Sequence, residues 1–139
     1  MAEDEAGFDP RAVEVYERFF GRGFAPPFRR HKVSSDAAIP RRTAQRSLIA
    51  SDVIDVRTRA VAIASVLISG GHLAQGKLYL QALRNLGFTD RQVAEIIETV
   101  GLFAGIPRAV EAHGLLDELI EEDAERGSTG EFFYRPPRR

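Results

Sequence analysis

Four residues near the middle of the chain, His72, Gln75, Gly76 and Tyr79, offer the groups that small-molecule acid–base chemistry needs. Their spacing (i, i+3, i+4, i+7) lines them along one stripe if the segment is helical. An imidazole titrates near neutral pH and can take or return a proton. An amide supplies a donor and an acceptor but no titratable proton. A phenol, with an ordinary pKa of about 10, is a poor base and a good donor to a developing oxyanion. Gly76 leaves a gap in the stripe, and Leu73, Leu80 and Leu83 make an apolar wall beside it. A gap edged by polar groups against an apolar wall suits a small molecule. His72 would then be the acid/base, Tyr79 the oxyanion donor and Gln75 the orienting group. The plainer alternative is that His72 opens a helix at the surface, Gln75 is solvated, and Tyr79 is core with its hydroxyl at the rim.

The stripe needs a helix to carry it, and the surrounding pattern predicts one from about His72 to Leu86. Gly87 fits the left-handed position after a helix end, with Phe88 folding back onto Leu83. Thr89 and Gln92 then form a capping box, and Phe88 can staple onto Val93. Val93, Ile96, Ile97, Val100 and Phe103 make the expected buried stripe of the next helix. Gly105-Ile106-Pro107 is a break, and the last helix is expected from Pro107 to about Glu122. Ala109, Ala112, Leu116, Leu119 and Ile120 should face inward there. Upstream, Asp55 can cap an apolar helix from Val56 to Ser69, ended by Gly70-Gly71. That helix is apolar nearly all round, so it is expected at the centre of the fold.

Nearer the N-terminus, Asp9-Pro10 reads as a helix start. Val13, Tyr16, Phe19 and Phe20 follow at helical spacing, and Gly21 ends the run. Residues 21–35 read as an irregular basic arm, and a short helix is expected from Pro40 to about Ala50. No β-alternation or hairpin turn signal appears. The expectation is an all-α, compact bundle of about six helices in a single domain, 1–139. Segments 1–8 and 126–139 are expected to be flexible or subunit-contacting tails.

Composition narrows the function classes. Apolar residues make up 44% and charged residues 28% of the 139 residues, with net charge −1. That balance lacks the basic excess of a nucleic-acid binder. Leu80 to Val93 has helix-turn-helix spacing, but Asp90, Glu95 and Glu98 on the second helix would repel phosphates. The chain has no cysteine, which removes disulfides, thiolate metal sites and thiol chemistry. The three histidines lack metal-ligand spacing, so no metal and no cofactor are expected. The longest apolar segment, 60–69, is too short to span a bilayer, and the acidic N-terminus does not read as a secretory signal. A cytoplasmic protein without membrane attachment is the expectation.

The ordered set Asp55-Val-Arg-Thr-Arg, the apolar helix, Tyr79-Leu-Gln-Ala-Leu-Arg-Asn-Leu-Gly87-Phe-Thr89, and Phe103-Ala-Gly105-Ile-Pro107-Arg-Ala109 resembles the carboxymuconolactone decarboxylase family. The resemblance runs from about Asp55 to Leu119. It implies an alkylhydroperoxidase D-like helical fold that assembles into homo-oligomers, trimers or hexamers. The peroxidase branch of the family needs a Cys-x-x-Cys pair, which this chain lacks. The decarboxylase branch typically shows a Glu and, four residues on, a His; here those positions are Gln75 and Tyr79. The Tyr that usually precedes Ala-Gly-x-Pro is Phe103. The scaffold matches while the usual catalytic side chains are replaced. The resemblance implies a lyase or isomerase for a cyclic or aromatic-derived acid, lactone or ketone. Its substrate contacts would include Arg59, Gly76, Leu83, Phe103 and Ile106. A non-catalytic oligomer that binds such a ligand, or scaffolds partners, is the other outcome.

Some residues stand apart from that stripe. Arg57 and Arg59 lie in the first turns of their helix, where positive charge opposes the dipole. Each needs an anionic partner: Asp52, Asp55, an acid of a neighbouring subunit or a substrate carboxylate. His113 is expected to be structural and His31 exposed. Phe132, Phe133 and Tyr134 in the tail are either disordered or docked on a neighbouring subunit.

Overall fold

Helix ends in this chain are set by side chains that supply what the backbone lacks there. In the computed structural model, which describes residues 10–22 and 38–126, six helices form. They are α1 (Pro10–Phe20), α2 (Ala38–Ala50), α3 (Val56–Ser69), α4 (Leu73–Asn85), α5 (Asp90–Ala104) and α6 (Ile106–Arg126). No strand occurs among the described residues. The proposed Asp9 cap, most of the basic arm with His31, and the aromatic tail lie outside them.

Asp55 caps α3: the Thr58 amide donates to its Oδ1 at 2.8 Å and the Thr58 hydroxyl to its Oδ2 at 2.8 Å. Those bonds hold the Asp55 carboxyl below its ordinary pKa. The α4–α5 link closes at both ends. The Phe88 amide donates to the Leu83 carbonyl at 3.1 Å and the Gly87 amide to the Arg84 carbonyl at 3.0 Å. This pair of bonds needs a left-handed residue between them, and Gly87 has φ 91°. Thr89 accepts from the Gln92 amide while Gln92 Oε1 accepts from the Thr89 amide, so the capping box is complete.

α4 is the middle of the bundle. It packs against α1, α3, α5 and α6. The core around it includes Phe19, Phe20, Leu80, Leu83, Val93, Ile97 and Leu119, all fully buried. Each such side chain contributes about 1.5–3 kcal/mol by leaving water. The expected central position of α3 is corrected: its inner face is Arg59, Ala60, Ala64 and Ile68, while Val66 lies exposed.

Phe103 and Ile120 are also corrected, since both are exposed. The cause for Phe103 is the α5–α6 crossing. A Cβ on Gly101 would stand 2.6 Å from Ala109 Cβ, so the helices meet backbone to side chain at Gly101. Phe103 is two residues further on, about 200° around the helix, and faces away.

The two arginines of α3 differ from expectation as well. Arg57 stacks on Phe88 with its guanidinium carbon 4.1 Å from the ring centroid. Arg59, 7% exposed, donates to the Ser51 carbonyl at 3.2 Å and ties the preceding loop to the helix.

A half-buried to exposed polar network ties α4 to α5 and α6. Arg84 donates to Asp90 on α5 at 2.7 Å, to Asp123 on α6 at 2.5 Å and to Gln81 at 2.9 Å. Lys77 bridges Glu118 and Glu122 of α6 at 2.9 and 2.6 Å. His113 pairs with Glu98 across α5 and α6 at 2.6 Å, a structural place for that histidine.

Candidate functional site

Because α4 is amphipathic in an unusual way, its polar stripe descends from water into the core. His72 stands at the N-cap position with no side-chain capping bond, and its imidazole is exposed. The ring lies over Gly70: a Cβ there would meet His72 Cδ2 at 2.7 Å. The Arg108 guanidinium rests on neighbouring Gly71 and pairs with Glu111 at 3.3 Å. The glycine turn therefore brings an imidazole and a guanidinium to one edge of the fold. Gln75, one turn along, is exposed.

Gly76 is buried, and the space above it faces Leu115: a Cβ would lie 3.9 Å from Leu115 Cδ1. The gap expected in the stripe is thus covered by α6 rather than open.

Tyr79 is the inner end of the stripe. Its ring packs edge-on against Phe19 (centroids 5.8 Å, 68°) and Phe20 (5.2 Å, 82°), which pack on each other at 5.7 Å. Burial pushes its phenol pKa well above the ordinary value, and the nearby Tyr16 adds to the rise. The Tyr79 hydroxyl is therefore a neutral donor throughout the physiological range and not a base. Seven residues of helical rise separate His72 from Tyr79 by about 10 Å along the axis. Among the described residues the three groups form an open ramp, not an enclosed cavity.

The other residues expected to touch substrate do not converge. Leu83 is fully buried core, and Arg59 serves the loop. Phe103 (88% exposed) and Ile106 (76%) lie on the outer surface at the α5–α6 corner, with Leu102 and Val110.

Two residues that sequence reasoning did not assign to a site lie beyond this inner end: Tyr16 next to Tyr79, and Arg46 next to Tyr16. Tyr16 of α1 is 2% exposed, and its hydroxyl is buried with no well-formed hydrogen bond. Burial raises its pKa, against the Arg46 charge and the approaching Gln45 side chain, which both lower it. Leaving such a hydroxyl unmatched costs about 1–3 kcal/mol. Arg46 of α2 is 6% exposed. A signal was available: Arg46 precedes the buried Ile49 and Ala50 by three and four residues, on the helix's inner face.

The model of the carboxymuconolactone decarboxylase family matches residues 38–118, more than half of the chain. The chain belongs to the carboxymuconolactone decarboxylase family. The match begins at α2, so it extends upstream of the Asp55 motif that carries the resemblance in sequence, and it takes in Arg46. Tyr16 on α1 precedes it. No curated protein and no solved structure matches the chain significantly. This family member has no group of three His, Cys, Asp or Glu able to hold a metal ion among the described residues. No described helix is long and apolar enough to cross a membrane.

Proposed function

We propose that the chain is a small-molecule lyase or isomerase acting on a cyclic or aromatic-derived acid, lactone or ketone. Decarboxylation beside a carbonyl and migration of a double bond both pass through an enolate. The enzyme's task is then to offer donors where the enolate oxygen gains charge. Tyr79 carries this assignment. It stands where the decarboxylase branch has its histidine, and its phenol stays protonated and oriented by two aromatic edges. His72 serves as the proton-exchanging group at the outer end of the stripe, and Gln75 orients the ligand between them. A ligand two rings long spans the distance; a single small ring engages Tyr79 alone.

The proposed enzyme works as an assembly. Leu102, Phe103, Ile106 and Val110 are apolar and exposed around one corner. Such a patch on a single chain marks a contact surface, and a homo-oligomer would cover it.

The test is turnover of a panel of cyclic β-keto acids and muconolactone-type acids, followed by CO2 release and loss of substrate absorbance. Tyr79→Phe should lower kcat by about 10²- to 10³-fold, the loss seen when one oxyanion donor is removed. A wild-type protein with no turnover on any of them sinks the enzymatic assignment. The exposure of His72 and Gln75 favours one alternative, a non-catalytic oligomer that binds such ligands or scaffolds partners. Under that alternative Tyr79→Phe alters binding only.

A further inference from the structure

We propose that Tyr16, Arg46 and Tyr79 together form a receptor for the carboxylate of a cyclic or aromatic acid, in the seam where α1 meets α2 and α4. This rests on the enolate-forming reading above and names what holds the ligand's charge.

Three observations converge there. The Tyr16 hydroxyl is buried and lacks a well-formed hydrogen-bond partner, although the Gln45 side chain acts weakly on it. A buried donor without an acceptor is rare in a folded protein and points to a group that arrives from outside. Next, the Arg46 charge lies within electrostatic reach of Tyr16. Arg46 also has other interactions in the fold, so it is already positioned. A guanidinium with Nε and Nη2 in the interior is suited to a planar carboxylate. Lastly, Tyr79 packs on Phe19 and Phe20, one helical turn from Tyr16 on α1, and lies close enough to Tyr16 to feel its phenol.

The walls complete the specificity. Phe19 and Phe20 pack edge-to-face with Tyr79, so the ligand's body would meet aromatic surface at Tyr79 while its carboxylate meets the Tyr16 phenol and a cation. Tyr79 is the way in, because it is partly exposed while Tyr16 is not. The carboxylate accepts from Tyr16 and from Arg46, while Tyr79 lines the mouth with its single O–H left for the enolate oxygen, and the ligand's ring is directed toward the Gln75 end of the stripe.

Benzoate is the probe, with neutral benzamide as its isostere, titrated by calorimetry and by thermal melting of the full chain. The wild type should bind benzoate at least tenfold more tightly than benzamide. Tyr16→Phe should weaken benzoate about tenfold, the worth of a hydrogen bond to a charged group, and leave benzamide unchanged. Its unliganded melting temperature should not fall, since the change deletes an unmatched hydroxyl. A wild type that takes up no benzoate, or that fails to prefer it over benzamide, overturns the receptor. So does a Tyr16→Phe protein that binds benzoate like the wild type. If Tyr79→Phe alone loses benzoate, the receptor falls and the Tyr79 assignment stands. If Tyr16→Phe loses benzoate while no substrate is turned over, the receptor stands and the enzymatic assignment falls.

Discussion

Asn85 donates its side-chain amide to the Phe19 carbonyl at 2.7 Å, across 66 residues of sequence. The bond joins the last turn of α4 to the last turn of α1, whose Phe19 and Phe20 hold Tyr79. Gln81 donates to Asn85 Oδ1 at 3.0 Å and accepts from Arg84, so the Asn85 rotamer is fixed from the other side. Asn85→Ala should cost about 1–3 kcal/mol, because a buried carbonyl loses its donor. Hydrogen exchange should rise in α1 first and leave α5 protected. Uniform loosening of both helices would show that the bond is not what holds α1 in place.

The phenols give a pH signature. Tyr16 and Tyr79, two of the chain's three tyrosines, have folded pKa values raised by burial. A raised folded pKa favours the native state below the unfolded value of about 10. That contribution fades as pH climbs through the folded value. Absorbance at 295 nm should therefore show Tyr16 and Tyr79 ionising only together with loss of helical circular dichroism, above pH 10. Reversible ionisation of either with the helices intact would contradict their burial.

Gly101 tests the α5–α6 crossing. Alanine has better helix propensity by about 1 kcal/mol, but its Cβ would meet Ala109 Cβ at 2.6 Å, and neither atom can swing away. Overpacking of this kind costs typically about 1–3 kcal/mol. Gly101→Ala should lower the melting temperature, and Ala109→Gly in the same chain should recover part of the loss. A more stable Gly101→Ala protein would mean that the helices separate at little cost.

Phe103→Glu reads the outer patch. The side chain is exposed, so the folded monomer should melt within a few degrees of the wild type. The mass in solution should fall from a multimer to a single chain, measured by light scattering. An unchanged mass in the variant, or a monomeric wild type, would remove this corner as the contact surface.

Much of the fold could be read from local chemistry. The Asp55 cap, the Gly87 turn and the Thr89–Gln92 box each depend on residues within a few positions of one another, so the one-dimensional pattern contains them. Phe103 was not readable. An apolar stripe shows that something will cover it, but not whether that cover belongs to the same chain. Arg59 had several equally good local partners, and a backbone carbonyl, which every residue carries, was the one used. The Tyr16–Arg46–Tyr79 cluster was hidden for a different reason: its members come from three helices, and only packing brings them together. The polar stripe itself was legible, but its gradient from exposed His72 to the edge-packed Tyr79 ring depends on where α1 docks.

In the link between α4 and α5 the amides of Leu86, Gly87, Phe88 and Thr89 all donate, with one helix closing on Phe88 and the next opening at Thr89. A joint so fully bonded makes a poor hinge. Those two helices should move as one rigid body, so any breathing that widens the seam between Tyr79 and the buried Tyr16 falls to α1, swinging about its Asn85 tether. A covalent staple between α1 and α4 would shut that door while leaving the rest of the bundle undisturbed.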